Sequence, residues 1–379
     1  MSRWTNLAAL ALFWTCALRA DDVDYRPGSG LRWSSASGEL NARLGGSLMV
    51  DGLAFEDATG ARTGDSEVRR ARLSGGLEFA ERFQFRVSYE LAGRDPGWRN
   101  LWLGWEHGQR RIRVGQFQQP FGLEELTGST DLTFANRAPS NVFAPSYRLA
   151  GEARIGREAW TLTGAAFRGD LDDPQADDLG FAARWTRLLE PAADHAWHLG
   201  LAALYRVPGE RGLRLRARPE ADLAPVLIDT GRIRDVASFA AGGLELAIRR
   251  GRLFVQGEAV AGRLARDGGG PTSWLDGGYI AASWTIAGQS RRYRRGSGSF
   301  TAVRGAGRDW GWELAARWST LDLDDGPLHG GRLTDCTLGV NAVWADWGRL
   351  LLDVARADSR RRGDDEVLYL IILQLQLRL

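Results

Sequence analysis

Phe83-Gln84-Phe85-Arg86-Val87-Ser88-Tyr89-Glu90-Leu91 alternates without a fault: every second residue is large and apolar, and those between are polar or charged. Successive side chains of a strand point to opposite faces, so this stretch is a strand with one apolar and one wet face. The preceding stretch does the same, with Ala71, Leu73, Leu77 and Phe79 opposed to Arg70, Arg72, Ser74 and Glu78. Ala80-Glu81-Arg82 is short enough to join the two as a hairpin.

The same period of two recurs at about 40–54, 98–106, 110–117, 147–156, 159–168, 179–187 and 196–206, and again at 239–248, 252–262, 277–287, 309–320, 333–344, 348–357 and 366–379. With the first pair these make sixteen segments, and 211–218 is a further candidate. In the last, Val367, Tyr369, Ile371, Leu373, Leu375, Leu377 and Leu379 share one face, and the other ends in Gln374, Gln376 and Arg378. A two-sheet soluble sandwich would alternate too. Two features point away from it. Trp105, Trp310, Trp312, Trp318 and Trp344 stand on apolar faces near segment ends, where a membrane-interface belt belongs. The wet faces carry too many Arg and Glu for a dry core, because unpaired buried charge is prohibitive. The predicted fold is therefore all-β, a transmembrane antiparallel β-barrel of about 16 strands.

Composition agrees. All 49 basic residues are Arg, with no Lys anywhere, against 47 acids, so the balance singles out no polyanionic partner and no nucleic acid is expected. Gly at 48 and Trp at 16 are abundant, while mean hydropathy, at −0.28, is too low for a helical membrane protein. At the start, Arg3 precedes the apolar run Leu7 to Leu18, followed by small residues and Asp21-Asp22. That is the pattern of a secretory signal peptide over 1–20, cut after Ala17 or Ala20, which leaves 21–379 as the barrel domain. Cys336 is then the only thiol, so no intrachain disulfide is available to a chain bound for an oxidising compartment.

From Val68 to Ala150 the sequence resembles the phosphate-selective porin O and P family. The resemblance begins at Arg69-Arg70-Ala71-Arg72-Leu73 and Phe85-Arg86-Val87-Ser88-Tyr89-Glu90. It is most specific from Arg113-Val114-Gly115-Gln116-Phe117 through Gln118, Gln119, Pro120, Phe121 and Gly122 to Leu123-Glu124-Glu125-Leu126-Thr127. It continues in order at Arg214 to Glu220, Gly243 to Ala247, Trp312 to Ser319 and Thr337 to Asn341. The resemblance implies a sixteen-stranded barrel in the Gram-negative outer membrane, usually trimeric, in contact with outer-membrane lipid and lipopolysaccharide. It also implies a long loop folded inward as a constriction, which the stretch from Gln116 to Arg137 resembles, and basic residues that guide small anions. No cofactor or metal is implied. Gln118 and Gln119 occupy a stretch where family members often carry Lys; anion preference survives that change, and the expected solutes are phosphate or other small anions.

The residues expected to line the pore are Arg69, Arg70, Arg72, Arg86, Arg113, Arg214, Arg216 and Arg218. Arg214, Arg216 and Arg218 alternate with Leu213, Leu215 and Ala217, which on a strand puts three guanidinium groups on one side about 6.6 Å apart. The alternative is that Arg fills any polar barrel wall in pairs with acids, as for Arg86 beside Glu90 and Arg317 beside Glu313. Gln118, Gln119, Pro120, Phe121, Glu124 and Glu125 are expected in the constriction segment. Arg291-Arg292-Tyr293-Arg294-Arg295 is expected in a loop at lipopolysaccharide or the pore mouth. No nucleophile elbow or phosphate-cradling Gly loop stands in a suitable context, so an enzyme is not expected. The competing functional reading is a non-selective, structural or receptor barrel.

Overall fold

The computed structural model describes residues 22–57, 59–173, 176–189, 194–307 and 309–379; the leader assigned to 1–20 lies outside them. A hairpin of β1 (Asp22–Arg26) and β2 (Gly30–Ser34) comes first. The barrel then runs through β3 (Leu40–Asp57), β4 (Arg62–Phe79), β5 (Phe83–Glu90), β6 (Gly97–His107), β7 (Arg110–Gln118), β8 (Tyr147–Arg157), β9 (Trp160–Arg168), β10 (Leu179–Leu189) and β11 (His195–Val207). After a short inner pair, β12 (Arg216–Ala217) and β13 (Ile228–Asp229), it resumes with β14 (Val236–Arg250), β15 (Leu253–Arg266) and β16 (Ser273–Ala287). A second inner pair, β17 (Tyr293–Arg294) and β18 (Ser299–Phe300), precedes β19 (Trp310–Asp325), β20 (Leu328–Trp344), β21 (Gly348–Arg361) and β22 (Asp364–Arg378).

Each barrel strand pairs antiparallel with the next, and β22 returns to β3 from Leu368↔Asp57 to Arg378↔Ser47. The sheet has no free edge, as a wall in hydrocarbon requires. All sixteen alternating segments are wall strands. The start of β3 pairs instead with β2, Leu31↔Leu44 to Ser34↔Asn41, so the N-terminal hairpin extends the wall beside the C-terminus.

The register of the opening segment follows its alternation. Phe83 and Leu91 are exposed on the outer face, with Phe85, Val87 and Tyr89 half-exposed, whereas Ser88 and Glu90 are buried on the inner face. Trp310, Trp312 and Trp318 are exposed outward too. Trp310 stacks near Trp344 (5.3 Å between rings) and Trp344 near Trp347 (5.8 Å), forming an aromatic rim at the end that carries the C-terminus. Most turns at that end are short, such as Ala80 to Arg82 and Gly108-Gln109, as on the periplasmic side of such barrels.

One inward loop is expected from the sequence; the structure has three inward segments. Residues 119–146 and 208–235 enter from the end opposite the C-terminus, and residues from 288 enter from the C-terminal end. They bury the inner face of the far wall. Leu264, Leu275, Leu321, Leu323, Leu333 and Leu368 form one apolar cluster with Leu213, Leu215, Ile228 and Ile233 of segment 208–235. The inner faces of β3 to β7 stay partly open, with Arg43 exposed and Arg70, Arg72 and Arg86 half-buried. Water-accessible space therefore lies along β3 to β8.

Candidate functional site: an arginine-lined passage

Along that open wall, guanidinium groups come in twos around single carboxylates. Glu90 on β5 lies 3.1 Å from Arg70 and 3.0 Å from Arg72. Glu152 on β8 lies 2.7 Å from Arg111 and 2.5 Å from Arg113. Asp178 lies 3.4 Å from Arg148 and 3.3 Å from Arg206. In each set the acid is hidden and the cations face the passage: Glu90 is 3% exposed against 17% for both its arginines. The backbone explains the doublets, because Arg70/Arg72 and Arg111/Arg113 are two apart on strands and so share a face.

Arg69 reaches Asp51 (3.5 Å) and Asp222 (3.7 Å) and donates to the carbonyl of Ala135 in the inward loop. Arg70 also donates to the Ser129 hydroxyl, so it spans from wall to loop tip. Arg86 pairs with Glu78 at 2.5 Å rather than with Glu90. It fits because Gly76 faces it; a Cβ there would sit 2.1 Å from its Nη1. Arg113 lies over the Phe117 ring at 3.8 Å, which fixes its plane.

The structure places three of the expected groups. Arg214, Arg216 and Arg218 are not on a barrel strand. They alternate because Leu213, Leu215 and Ala217 are buried within the lumen core; Arg216–Ala217 pair with Ile228–Asp229, and Leu213 bridges Ile233. Nor is the line free of acid: Arg214 makes a two-pronged pair with Asp229, and Arg218 donates to the Ala224 carbonyl. Arg216 is exposed and has no ion pair among the described residues. Second, Gln119, Pro120, Phe121, Glu124 and Glu125 are buried and Gln118 half-buried, so they root the constriction loop; its more exposed part is Gly128-Ser129-Thr130. Third, Arg291 to Arg295, expected at lipopolysaccharide or the pore mouth, lie between β16 and β19. They belong to the segment inserted from the C-terminal end, with Arg291 buried against Glu313 (2.8 Å for both prongs).

Two hubs fasten the inserts. Arg317 on β19, fully buried, holds Glu124 of segment 119–146 at 2.9 Å and Glu220 of segment 208–235 at 2.5 Å, not Glu313. Ser319 and Thr337 each donate to Glu220 at 2.6 Å. The second hub is Asp131, bound by Arg294 (2.6 Å) of the opposite insert and Arg378 (3.1 Å) of β22. Burial alone would raise the Asp131 carboxyl, but Arg378 and Arg294 outweigh it and hold it below the usual carboxylate range. The sequence reading missed Arg111, Arg148, Arg206, Arg94 and Asp222, and it set Glu90 and Glu313 beside other arginines than those they hold, Arg70 with Arg72 and Arg291. The Arg111-Ile112-Arg113 repeat of the Arg70-Ala71-Arg72 pattern was the one visible signal. Among the described residues no group of three or more metal-ligating side chains is assembled.

The model of the phosphate-selective porin O and P family matches residues 42–378. The chain belongs to that family. It is thus an outer-membrane porin, built on the closed sixteen-stranded barrel, and not an enzyme. Porin O of Pseudomonas aeruginosa is 23% identical over 357 residues, covering 84% of this chain and 81% of that one. An uncharacterized protein of Caulobacter vibrioides is 27% identical over 325 residues; the match covers 79% of this chain and 65% of its relative's length. Among solved structures, the anion-selective porin from Comamonas acidovorans superposes with a TM-score of 0.56 at 11% identity, covering 90% of this chain and all of the other (100%), a likeness of fold.

Proposed function

We propose that this porin is a passive, anion-preferring diffusion channel whose selectivity resides in the arginine doublets of β4 and β7 and in Arg148 of β8 with Arg206 of β11. The observation that carries this is the sharing of one buried carboxylate by two partly exposed guanidinium groups at Glu90 and again at Glu152. Aligned charge on a narrow, low-dielectric wall focuses its field on passing ions. Arginine binds oxyanions two-pronged, so small oxyanions, inorganic or organic, fit this lining; without Lys, phosphate has no special claim. Porin O and the Comamonas porin carry anion transport in their family or name, which supports the reading. The leader expected over 1–20 suits export to the outer membrane. Outer-membrane lipid would cover the apolar outer face, with lipopolysaccharide at rim pairs such as Arg360–Asp365 (2.6 Å).

Ion selectivity in planar bilayers tests the proposal, and the two neighbouring arginines of segment 208–235 sharpen it. Arg214→Gln together with Asp229→Asn is expected to leave the reversal potential in a KCl gradient almost unchanged, because the pair is already neutral. Arg216→Gln is expected to lower anion preference at low salt. Equal effects from the two would contradict the assignment. The family resemblance further implies a trimer. Native mass measurement in mild detergent is expected to give three chains, and a stable single chain would remove that part.

A further inference from the structure

Several acids of the lumen are buried and closely paired. Glu90, Glu152, Glu313 and Asp131 are at most 4% exposed, each held by at least one guanidinium within 3.1 Å. Asp222 differs. Its side chain is 31% exposed, and its nearest cations, Arg69 and Arg94, each stand off at 3.7 Å. Arg94 anchors the backbone instead, donating to the Asp222 carbonyl at 2.6 Å. Arg218 is within electrostatic reach of both Asp222 and Arg94. Cations from β4, from the β5–β6 connection and from segment 208–235 thus surround one loosely held, water-accessible carboxylate at the outer end of the passage.

That arrangement is an oxyanion site filled by the protein's own side chain. We propose that Asp222 is an exchangeable tethered competitor: its two oxygens stand in for those of a permeating carboxylate or phosphate on Arg69 and Arg94. This inference rests on the anion-conducting reading. A conducting site must bind strongly enough to admit an ion and weakly enough to release it. Emptied of Asp222, Arg69 and Arg94 would keep Asp51, 3.5 Å from Arg69, and Glu67 nearby, one acid fewer than before. They would hold an oxyanion too long. With Asp222 in place, an arriving anion displaces the carboxylate, and the returning carboxylate displaces the anion towards Arg70 and Arg72.

The test is chloride current through full-length protein in planar bilayers, titrated with inorganic phosphate and separately with acetate. In Asp222→Asn the half-blocking phosphate concentration is expected to fall about fivefold or more, since an opposing charge at ~4 Å is removed. Acetate should shift in the same direction, and Asp222→Glu should return close to the native value. Asp222→Ser carries the same expectation if the Asn variant fails to assemble, as read by heat-modifiable migration. Native-like half-blocking concentrations in an assembled Asn or Ser variant would overturn the proposal while leaving anion conductance standing. Cation selectivity in the unmodified protein would instead overturn both.

Discussion

Replacing Arg317 by Gln is expected to destabilise the barrel and raise its single-channel conductance at the same time. Arg317 is fully buried and joins Glu124 at 2.9 Å to Glu220 at 2.5 Å, two acids from different inward segments. Removing one partner of a buried ion pair leaves an uncompensated charge, at a cost of about 3–5 kcal/mol. Two acids are orphaned here. The chain can relieve them by letting the inward segments leave the wall, which widens the passage. Arg317→Lys is expected to fall between, because a single ammonium lacks the planar fork that spans both carboxylates. Arg86→Gln serves as the contrast: its pair with Glu78 is about one-third exposed on the Arg side and half-exposed on the Glu side, and such pairs contribute roughly 0–1 kcal/mol. The check is heat-modifiable migration against temperature alongside conductance. Unchanged conductance in a destabilised Arg317→Gln barrel would mean the segments do not depend on this hub.

The second large effect concerns Arg70 and Arg72. Changing both to Gln would strand buried Glu90, so the clean variant replaces all three by Gln and removes a net charge of +1, two cations less one acid. At ~0.1 M KCl the chloride-to-potassium permeability ratio is expected to fall severalfold, about tenfold if the wall behaves as an effective dielectric near 20. At ~1 M, where the Debye length is ~3 Å against ~10 Å, the difference should shrink. Glu90→Gln alone moves the net charge the other way and is expected to raise anion preference. Opposite signs from these two variants distinguish a charge effect from damage to packing, which would lower selectivity in both.

The wall was legible in the sequence because its physics is periodic. Lipid on one side and water or protein on the other impose a period of two on every strand, and Phe83 to Leu91 shows it plainly. The lumen has no such rule. Segment 208–235 also alternates at Leu213, Leu215 and Ala217, but those side chains are buried on a core inside the barrel, so the same pattern was read as a wall strand. Composition marked Gln118 to Glu125 as the start of an inward loop. It gave no hint that Glu124 turns to Arg317, nearly two hundred positions away, because that contact depends on closure of the barrel. Likewise Arg70 and Arg72 were visible as a doublet, whereas their shared acid required the pairing Arg72↔Glu90 across strands.

The most direct test of the central claim is the zero-current potential of the unmodified channel in a KCl gradient at low salt. An anion-preferring passage lined by Arg70, Arg72, Arg111 and Arg113 predicts a potential displaced towards the chloride equilibrium value, with the displacement weakening as both salt concentrations rise together. A potential displaced towards the potassium value, or a barrel that carries no current, would contradict it.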